Sequence, residues 1–216
     1  APKECFKGVV VLAIFDEFSD RARSKAAKKL IRKLESSEAV DIKNVNLEEQ
    51  DIFSLHSVLA LAEMPSEPHM ITPQAFSGIL MAPEQMSVFI ESMKPLEAKY
   101  GVNLPIFIDF SSDYIALYPT FDSKKVSERQ KILQLLSELA QIVDKHNGSF
   151  AGFGGDGRLK ANFIYKNLPD DEKQLYAKVK SIFDPSGVFN PGVKAEVQPK
   201  ELAAELNMWC KLHNQA

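Results

Sequence analysis

Residues 151–163, AGFGGDGRLKANF, set Asp156 and Arg158 among four of the chain's ten glycines. Those residue types suit recognition of a charged ligand. Glycine lets a backbone approach a partner closely, and a guanidinium presents a fork that holds a carboxylate or phosphate bidentately. Gly152, Gly154 and Gly157 also satisfy G-x-G-x-x-G, the spacing of a dinucleotide-binding turn. That motif needs a strand before it and a helix after it, so that the helix N-terminus meets the pyrophosphate. Here a long helix precedes the glycines, with only Ser149 to Ala151 between, and RLKANFIY after them reads as strand or extended chain. The acidic residue expected at the end of a second strand is missing. A Walker loop fails as well, since Arg158 and Leu159 follow Gly157 where Lys and Ser or Thr are required.

Other self-sufficient chemistries are also missing from the pattern. No two histidines have ligand spacing on one element, and H-x-E, C-x-x-C and G-x-S-x-G do not occur. His146 closes a helix beside Asn147-Gly148, where an imidazole suits the C-terminal dipole. His69 reads as a surface residue of a proline-rich loop. Cys5 and Cys210 stand near opposite ends of the chain and read as reduced thiols.

These residues need a scaffold, and 216 residues with 45% hydrophobic and 25% charged content can build one. A net charge of −3 gives no overall case for nucleic acid, and no apolar run is long enough for an integral membrane segment. The first element is a buried strand, Gly8 to Phe15. A helix from Ser19 to Ser36 follows, with Ala26, Ala27, Leu30, Ile31 and Leu34 on one face and a solvated basic face opposite. Ala39 to Leu47 alternates as a half-buried strand, and a further helix covers Glu48 to Glu63. Met64 to Gln74, with three prolines, reads as a loop. A strand at Ser77 to Ala82 precedes a helix from Pro83 to Lys99, proline fitting its first turn. LPIFIDF and DYIALYP form two strands around a tight turn at Ser111 and Ser112. The clearest helix begins near Ser127, with Ile132, Leu135, Leu136, Leu139 and Val143 at helical spacing and Asn147-Gly148 as its stop. Helices at Asp170 to Phe183 and Pro199 to His213 complete the chain. The order predicts an α+β fold with ferredoxin-like repeats, an antiparallel or mixed sheet covered by helices, in one domain over residues 1–216.

Read together, GSFAGFGGDGRLKANFIYKNL and QLYAKVKSIFDPSGVFNPGVK resemble the end of the FAD-linked oxidases of the D-lactate dehydrogenase and glycolate oxidase type. That family carries a Ser-Gly-Glu-His-Gly-Asp-Gly-Arg run after a long helix, and closes on Asp-Pro, a short turn and Asn-Pro-Gly-Lys. Lys180, Phe183, Asp184-Pro185, Gly187 and Asn190-Pro191-Gly192 fit the closing pattern. The lysine is displaced, with Val193 in its place and Lys194 one residue later. SGILMAPEQMSVFIESMKPLEAKYGVNLPIFI is similar to the family's preceding strand, proline and helix.

The resemblance implies a cap, or substrate, domain of an FAD-dependent oxidoreductase acting on a 2-hydroxy acid such as D-lactate or glycolate. FAD would be held mainly by a flavin-binding domain of the same parent chain, to which nothing here corresponds. Arg158 and Asp156 would bind substrate, while Gly154, Gly155, Gly157, Asn190 and Gly192 would face the cofactor. Arg158 could instead serve an internal salt bridge to Asp156 or the sheet edge, and Asn190-Pro191-Gly192 a structural turn. Phe153-Gly154 stands where the family has Glu-His, and the aligned IDFSSDYIAL holds no histidine. The family's catalytic histidine and metal site therefore do not carry over, no metal is expected, and the catalytic residue is left unassigned. The isolated chain is expected to be inactive. A cytoplasmic location is expected, with peripheral membrane contact left open. A non-catalytic relative serving as a protein-interaction module is the alternative.

Overall fold

In the computed structural model, the described residues are 13, 15, 18–35, 67–150, 152, 155–193, 195 and 197–213. The chain divides into two units, Ala1–Ile52 and Phe53–Ala216. The expected strand at Ala39–Leu47 and helix at Glu48–Glu63 lie outside the described residues, as does Gly8–Phe15 apart from Ala13 and Phe15.

In the first unit, helix α1 spans Asp20–Leu34. Ser19 caps it, accepting from the Ala22 N–H at 3.3 Å, and Asp20 in the first turn favours the N-terminal dipole. Ala26, Ala27, Leu30, Ile31 and Leu34 are half-buried and the basic side chains are exposed, as their spacing predicts.

The second unit begins with strand β1, Met70–Ile71, followed by a 3₁₀ turn at Gln74–Phe76 and strand β2, Ile79–Leu80. β1 corrects the reading of Met64 to Gln74 as loop throughout: Met70 and Ile71 pair with a short strand β5, Phe121–Asp122. Helix α2, Pro83–Tyr100, starts with proline in its first turn and ends at Gly101, whose φ of 61° is the left-handed stop that glycine adopts cheaply. Strands β3, Ile106–Asp109, and β4, Tyr114–Leu117, form the expected hairpin, with Ile108 opposite Ile115. Asp109 shapes its turn: the carboxylate accepts from the Ser111 N–H at 2.9 Å, the Ser111 hydroxyl at 2.6 Å and the Ser112 hydroxyl at 2.8 Å. Those hydrogen bonds, led by the Ser111 hydroxyl, hold Asp109 below the usual carboxylate range.

Helix α3, Val126–Lys145, buries Ile132, Leu135, Leu136, Leu139 and Val143, the stripe its sequence specifies. β2, β4 and β3 pair antiparallel in that order, and Leu80 of β2 makes a further antiparallel bridge to Ser149. The order Ser149, β2, β4, β3 is that of a split β-α-β repeat, with its fourth strand cut to a bridge. The architecture is α+β with antiparallel sheets, as expected. Phe76, Phe89, Phe121, Ile115, Leu117 and the α3 stripe share one core, in which the Phe76 and Phe121 rings stack with centroids 5.9 Å apart.

Three further helices complete the unit: α4, Gly157–Asn167, α5, Asp170–Phe183, and α6, Pro199–His213. α4 overturns the reading of RLKANFIY as strand or extended chain. Lys160, Ala161 and Ile164 are its buried residues, a helical spacing that places them on one face. Asn162 anchors it, accepting from the Val197 N–H at 2.6 Å and donating to the Val197 carbonyl. Aromatic and β-branched residues suggested strand; tertiary packing decided for helix. Arg129 of α3 holds α6, donating from Nε to Asn207 Oδ1 at 2.7 Å while its Nη1 reaches the Ser123 carbonyl at 2.7 Å. No helix among the described residues is long and apolar enough to cross a membrane.

Candidate functional site

The end of α3 aims the glycine-rich stretch. Asn147 takes a φ of 54° and the Gly148 N–H returns to the Val143 carbonyl at 2.8 Å, which stops the helix and turns the chain onto β2. Leu80 and Ser149 exchange two backbone hydrogen bonds, at 2.7 and 2.9 Å, and the Gly152 N–H donates to the Gly78 carbonyl at 2.9 Å. A Cβ on Gly152 would lie 2.6 Å from that carbonyl oxygen. Bare backbone is thus required at Gly152 by contact with the Gly78 backbone that leads into β2.

Gly155 and Gly157 differ. Their φ values of 73° and 57° demand glycine, yet nothing lies within 4 Å of a Cβ built on either. Their backbone faces open space at the lip of a cleft of about 520 Å³. Asp156, Arg158 and Lys160, carried on the first turn of α4 and the residue before it, line this cleft together with Thr72 and Gln74 near β1 and Glu205 of α6. Asp156 is 8% exposed and Lys160 4%, with the Lys160 ammonium donating to the Ser77 carbonyl at 3.1 Å. Arg158 Nη1 pairs with Glu205 Oε1, both side chains about one-third exposed. Two cations and two carboxylates make the cleft formally neutral, with Arg158 the most open of its cationic groups to a ligand.

The closing motif packs against this site. Asp184 accepts from the Val188 and Phe189 N–H groups at 2.9 Å each and pairs with Lys180 at 2.5 Å, while Lys180 also donates to the Phe189 carbonyl. Lys180, then the backbone donors, hold the Asp184 carboxyl below its ordinary value. The turn so formed delivers Gly192, at φ 78°, to the stem of Arg158: a Cβ there would be 3.7 Å from Arg158 Nε and 3.0 Å from Val197 Cγ2.

Asp156, Arg158, Gly155 and Gly157 are therefore together on the cleft, and Gly192 backs it. Asn190, at φ 43°, is exposed and does not line it. Gly154, with Phe153, lies outside the described residues. Arg158's ion-pair partner is Glu205, where the sequence suggested Asp156 or the sheet edge. Lys160 and Glu205 went unforeseen. Reading α4 as a helix would have put Asp156 and Lys160, four residues apart, on one face; Glu205 carries no local signal at all.

The other candidates serve structure. His146 is buried at the end of α3, 3.4 Å from the Ser92 hydroxyl and 3.5 Å from Gln85 Oε1, with Phe89 packed edge-on. His69 lies 3.2 Å from Glu67, and its carbonyl accepts from the Ser123 hydroxyl at 2.6 Å. Cys210 is fully buried, which raises its thiol pKa. A larger groove, about 960 Å³, runs along Lys99, Tyr100 and Glu138. These three groups are engaged with one another: Tyr100 donates to Glu138 at 2.7 Å and Lys99 pairs with the same oxygen. Burial, with Glu138 beside it, pushes the Tyr100 hydroxyl up to about 12, a poor value for acid–base work near neutrality. Among the described residues, no group of three or more His, Cys, Asp or Glu side chains is placed to hold a metal ion.

Residues 78–193, more than half of the chain, match the family model for the C-terminal domain of FAD linked oxidases. The chain belongs to that family. Within the FAD-linked oxidase C-terminal domain, the match takes in α2 to α5, the glycine loop and the Asp184–Gly192 turn; α6, which supplies Glu205, lies beyond it. The domain is similar to the glycolate oxidase subunit GlcD of Bacillus subtilis (strain 168), 22% identical over 108 residues, covering 50% of this chain and 23% of the relative. It is also 32% identical over 72 residues to the GlcD subunit of Escherichia coli (strain K12), covering 33% of this chain and 14% of that one. The chain thus spans less than a quarter of the length of either relative. In structure it is similar to the 4-ethylphenol oxidase from Gulosibacter chungangensis, solved with isoeugenol, with a TM-score of 0.58 at 16% identity, over 84% of this chain and 38% of that one. That likeness concerns the fold.

Proposed function

We propose that this domain is the cap, or substrate, part of an FAD-dependent oxidoreductase that oxidises a small 2-hydroxy acid such as D-lactate or glycolate. The flavin would be held mainly by a flavin-binding domain of the same parent protein. The observation that carries the reading is the cleft itself: a guanidinium beside two left-handed glycines, within a chain of the FAD-linked oxidase family. The bare, uncrowded backbone of Gly155 and Gly157 fits the close approach of a flat ring, so these residues are suited to one wall of a flavin site. When bound, FAD supplies the two-electron oxidation of the substrate carbon.

This chain's residues would bind and orient. Arg158 would hold the substrate carboxylate, drawing part of its hydrogen bonding away from Glu205. Buried Asp156 and Lys160 would give the cleft a fixed polar floor, with Lys160 tied to the Ser77 carbonyl. Glu205 would set how strongly an anion binds, by competing for Arg158. The names of the glycolate oxidase relatives support a hydroxy-acid substrate; the carboxylate-binding role of Arg158 is the chemical reason for preferring one.

The test is kinetic and uses the full-length, FAD-loaded parent. Arg158→Ala should raise KM for a 2-hydroxy acid roughly ten- to a hundred-fold, the value of a charge-assisted hydrogen-bonded pair of about 1.5–3 kcal/mol. Glu205→Gln should lower it, by up to about fivefold for an ion pair about one-third exposed and worth about 0.2–1 kcal/mol. Lys29→Ala, on the exposed face of α1, should leave it unchanged. An active parent indifferent to Arg158→Ala would remove the substrate role from this cleft.

A further inference from the structure

Helix α5 contains no buried residue. Its apolar side chains Leu175, Val179, Ile182 and Phe183 recur at i, i+4, i+7 and i+8, one stripe, and stand 61, 45, 62 and 79% exposed. Val188 and Phe189 extend the stripe at 69 and 67% exposure, on the turn whose backbone N–H groups donate to the Asp184 carboxylate. An amphipathic helix with its apolar face uncovered, continued by two more large hydrophobics, is the mark of an interaction surface.

We infer that the α5 stripe, with Val188 and Phe189, is the surface on which the flavin-binding domain of the parent docks. The inference rests on the cap-domain reading above and adds to it the place of contact. Two observations favour this occupant over others. Most of each relative lies outside the region this chain matches, 77% being left where 23% is covered, so a large further body belongs beside this domain. The stripe is also continuous with the candidate site: the Asp184–Gly192 turn that displays Val188 and Phe189 ends with Gly192 against the stem of Arg158. One body could cover both the open glycine lip and the stripe, whereas a contact between α5 helices of two copies would leave the lip open.

Hydrogen exchange in the FAD-loaded full-length parent and in this 216-residue chain tests the assignment. The α5 amides, with those of Val188 and Phe189, should exchange at least about tenfold more slowly in the parent. Ile182→Gln in the parent should reverse that protection and hasten FAD release, while Val88→Gln, an exposed apolar residue of α2, should do neither. Equal exchange of α5 in the two proteins, in a parent that keeps FAD and still loses substrate affinity with Arg158→Ala, would overturn the docking face and leave the functional reading standing. A full-length parent that binds no flavin would overturn both. Slow α5 exchange in the chain alone would also overturn the inference: if it strengthens with concentration the cover is a second copy, and if not, another segment of the same chain.

Discussion

Replacing Gly152 by alanine tests how the glycine-rich stretch is built. The added Cβ would lie 2.6 Å from the Gly78 carbonyl oxygen and 2.8 Å from its carbon. Both are backbone atoms, so no side chain can swing aside. Restoring ordinary contact means parting the two backbone segments by about 0.5–1 Å, which would stretch the 2.9 Å hydrogen bond from the Gly152 N–H to that same oxygen beyond useful length. Overpacking of this kind costs about 1–3 kcal/mol and the hydrogen bond about 0.5–1.5 kcal/mol, so about 2–4 kcal/mol together. For a chain of this size each kcal/mol lowers Tm by about 2–4 °C, giving a drop of about 5–15 °C by calorimetry or circular dichroism. Gly155→Ala should cost less, about 1–2 kcal/mol, because a φ of 73° strains alanine while its Cβ meets nothing. Gly152→Ala melting within about 2 °C of the unmodified chain would refute the contact argument. Gly155→Ala proving the worse variant would show that turn conformation, and not backbone contact, governs the stretch.

Asn162→Ala removes both hydrogen bonds to Val197 and leaves that residue's buried N–H and C=O without their partner. It should cost about 2–4 kcal/mol and speed hydrogen exchange across residues 197–213 more than elsewhere, whereas a uniform loss would mean that the anchor is not local. Asp184→Asn tests the closing turn through pH. Because Lys180 and two N–H groups depress the Asp184 pKa in the folded chain, its stabilisation is fully present above the ordinary value of 3.8 and is lost as pH falls through the lower folded value. The Tm gap between the unmodified chain and Asp184→Asn should therefore be constant at neutral pH and narrow only below 3.8; a gap independent of pH in acid would rule out the charged carboxylate as the turn's organiser.

What the sequence conveyed about this fold divides by the range of the interaction responsible. α2 and α3 announce themselves because each carries its own local signal: Pro83 opens α2, the stripe from Ile132 to Val143 marks α3, and Asn147-Gly148 ends it. Elements held by distant partners did not. β1 exists because Met70 and Ile71 meet Asp122 and Phe121, and nothing inside a proline-rich segment signals that pairing. α4 is only 11 residues long, too short to be stable alone, and takes its helical state from the burial of Ala161 and Ile164 and from Asn162's hold on Val197. The same division runs through the site. Local chemistry marked Asp156, Arg158 and the glycines, but Glu205 reaches Arg158 across 47 residues of sequence, and no spacing rule covers that distance.

The glycines themselves show why a compositional motif misleads. They are clustered in sequence but answer to different causes: among the described glycines of the stretch, Gly148 and Gly152 are small because β2 or its neighbours press against them, whereas Gly155 and Gly157 leave backbone open at the cleft. The dinucleotide spacing joins Gly152 to Gly157 across that divide, and so counts a residue packed on the Gly78 backbone as a ligand-binding one. α4 meets one requirement of that motif, a helix after the glycines. It does not supply the other, since Ser149 pairs with β2 antiparallel and the parallel β-α-β unit that would aim a helix at a pyrophosphate is not formed there.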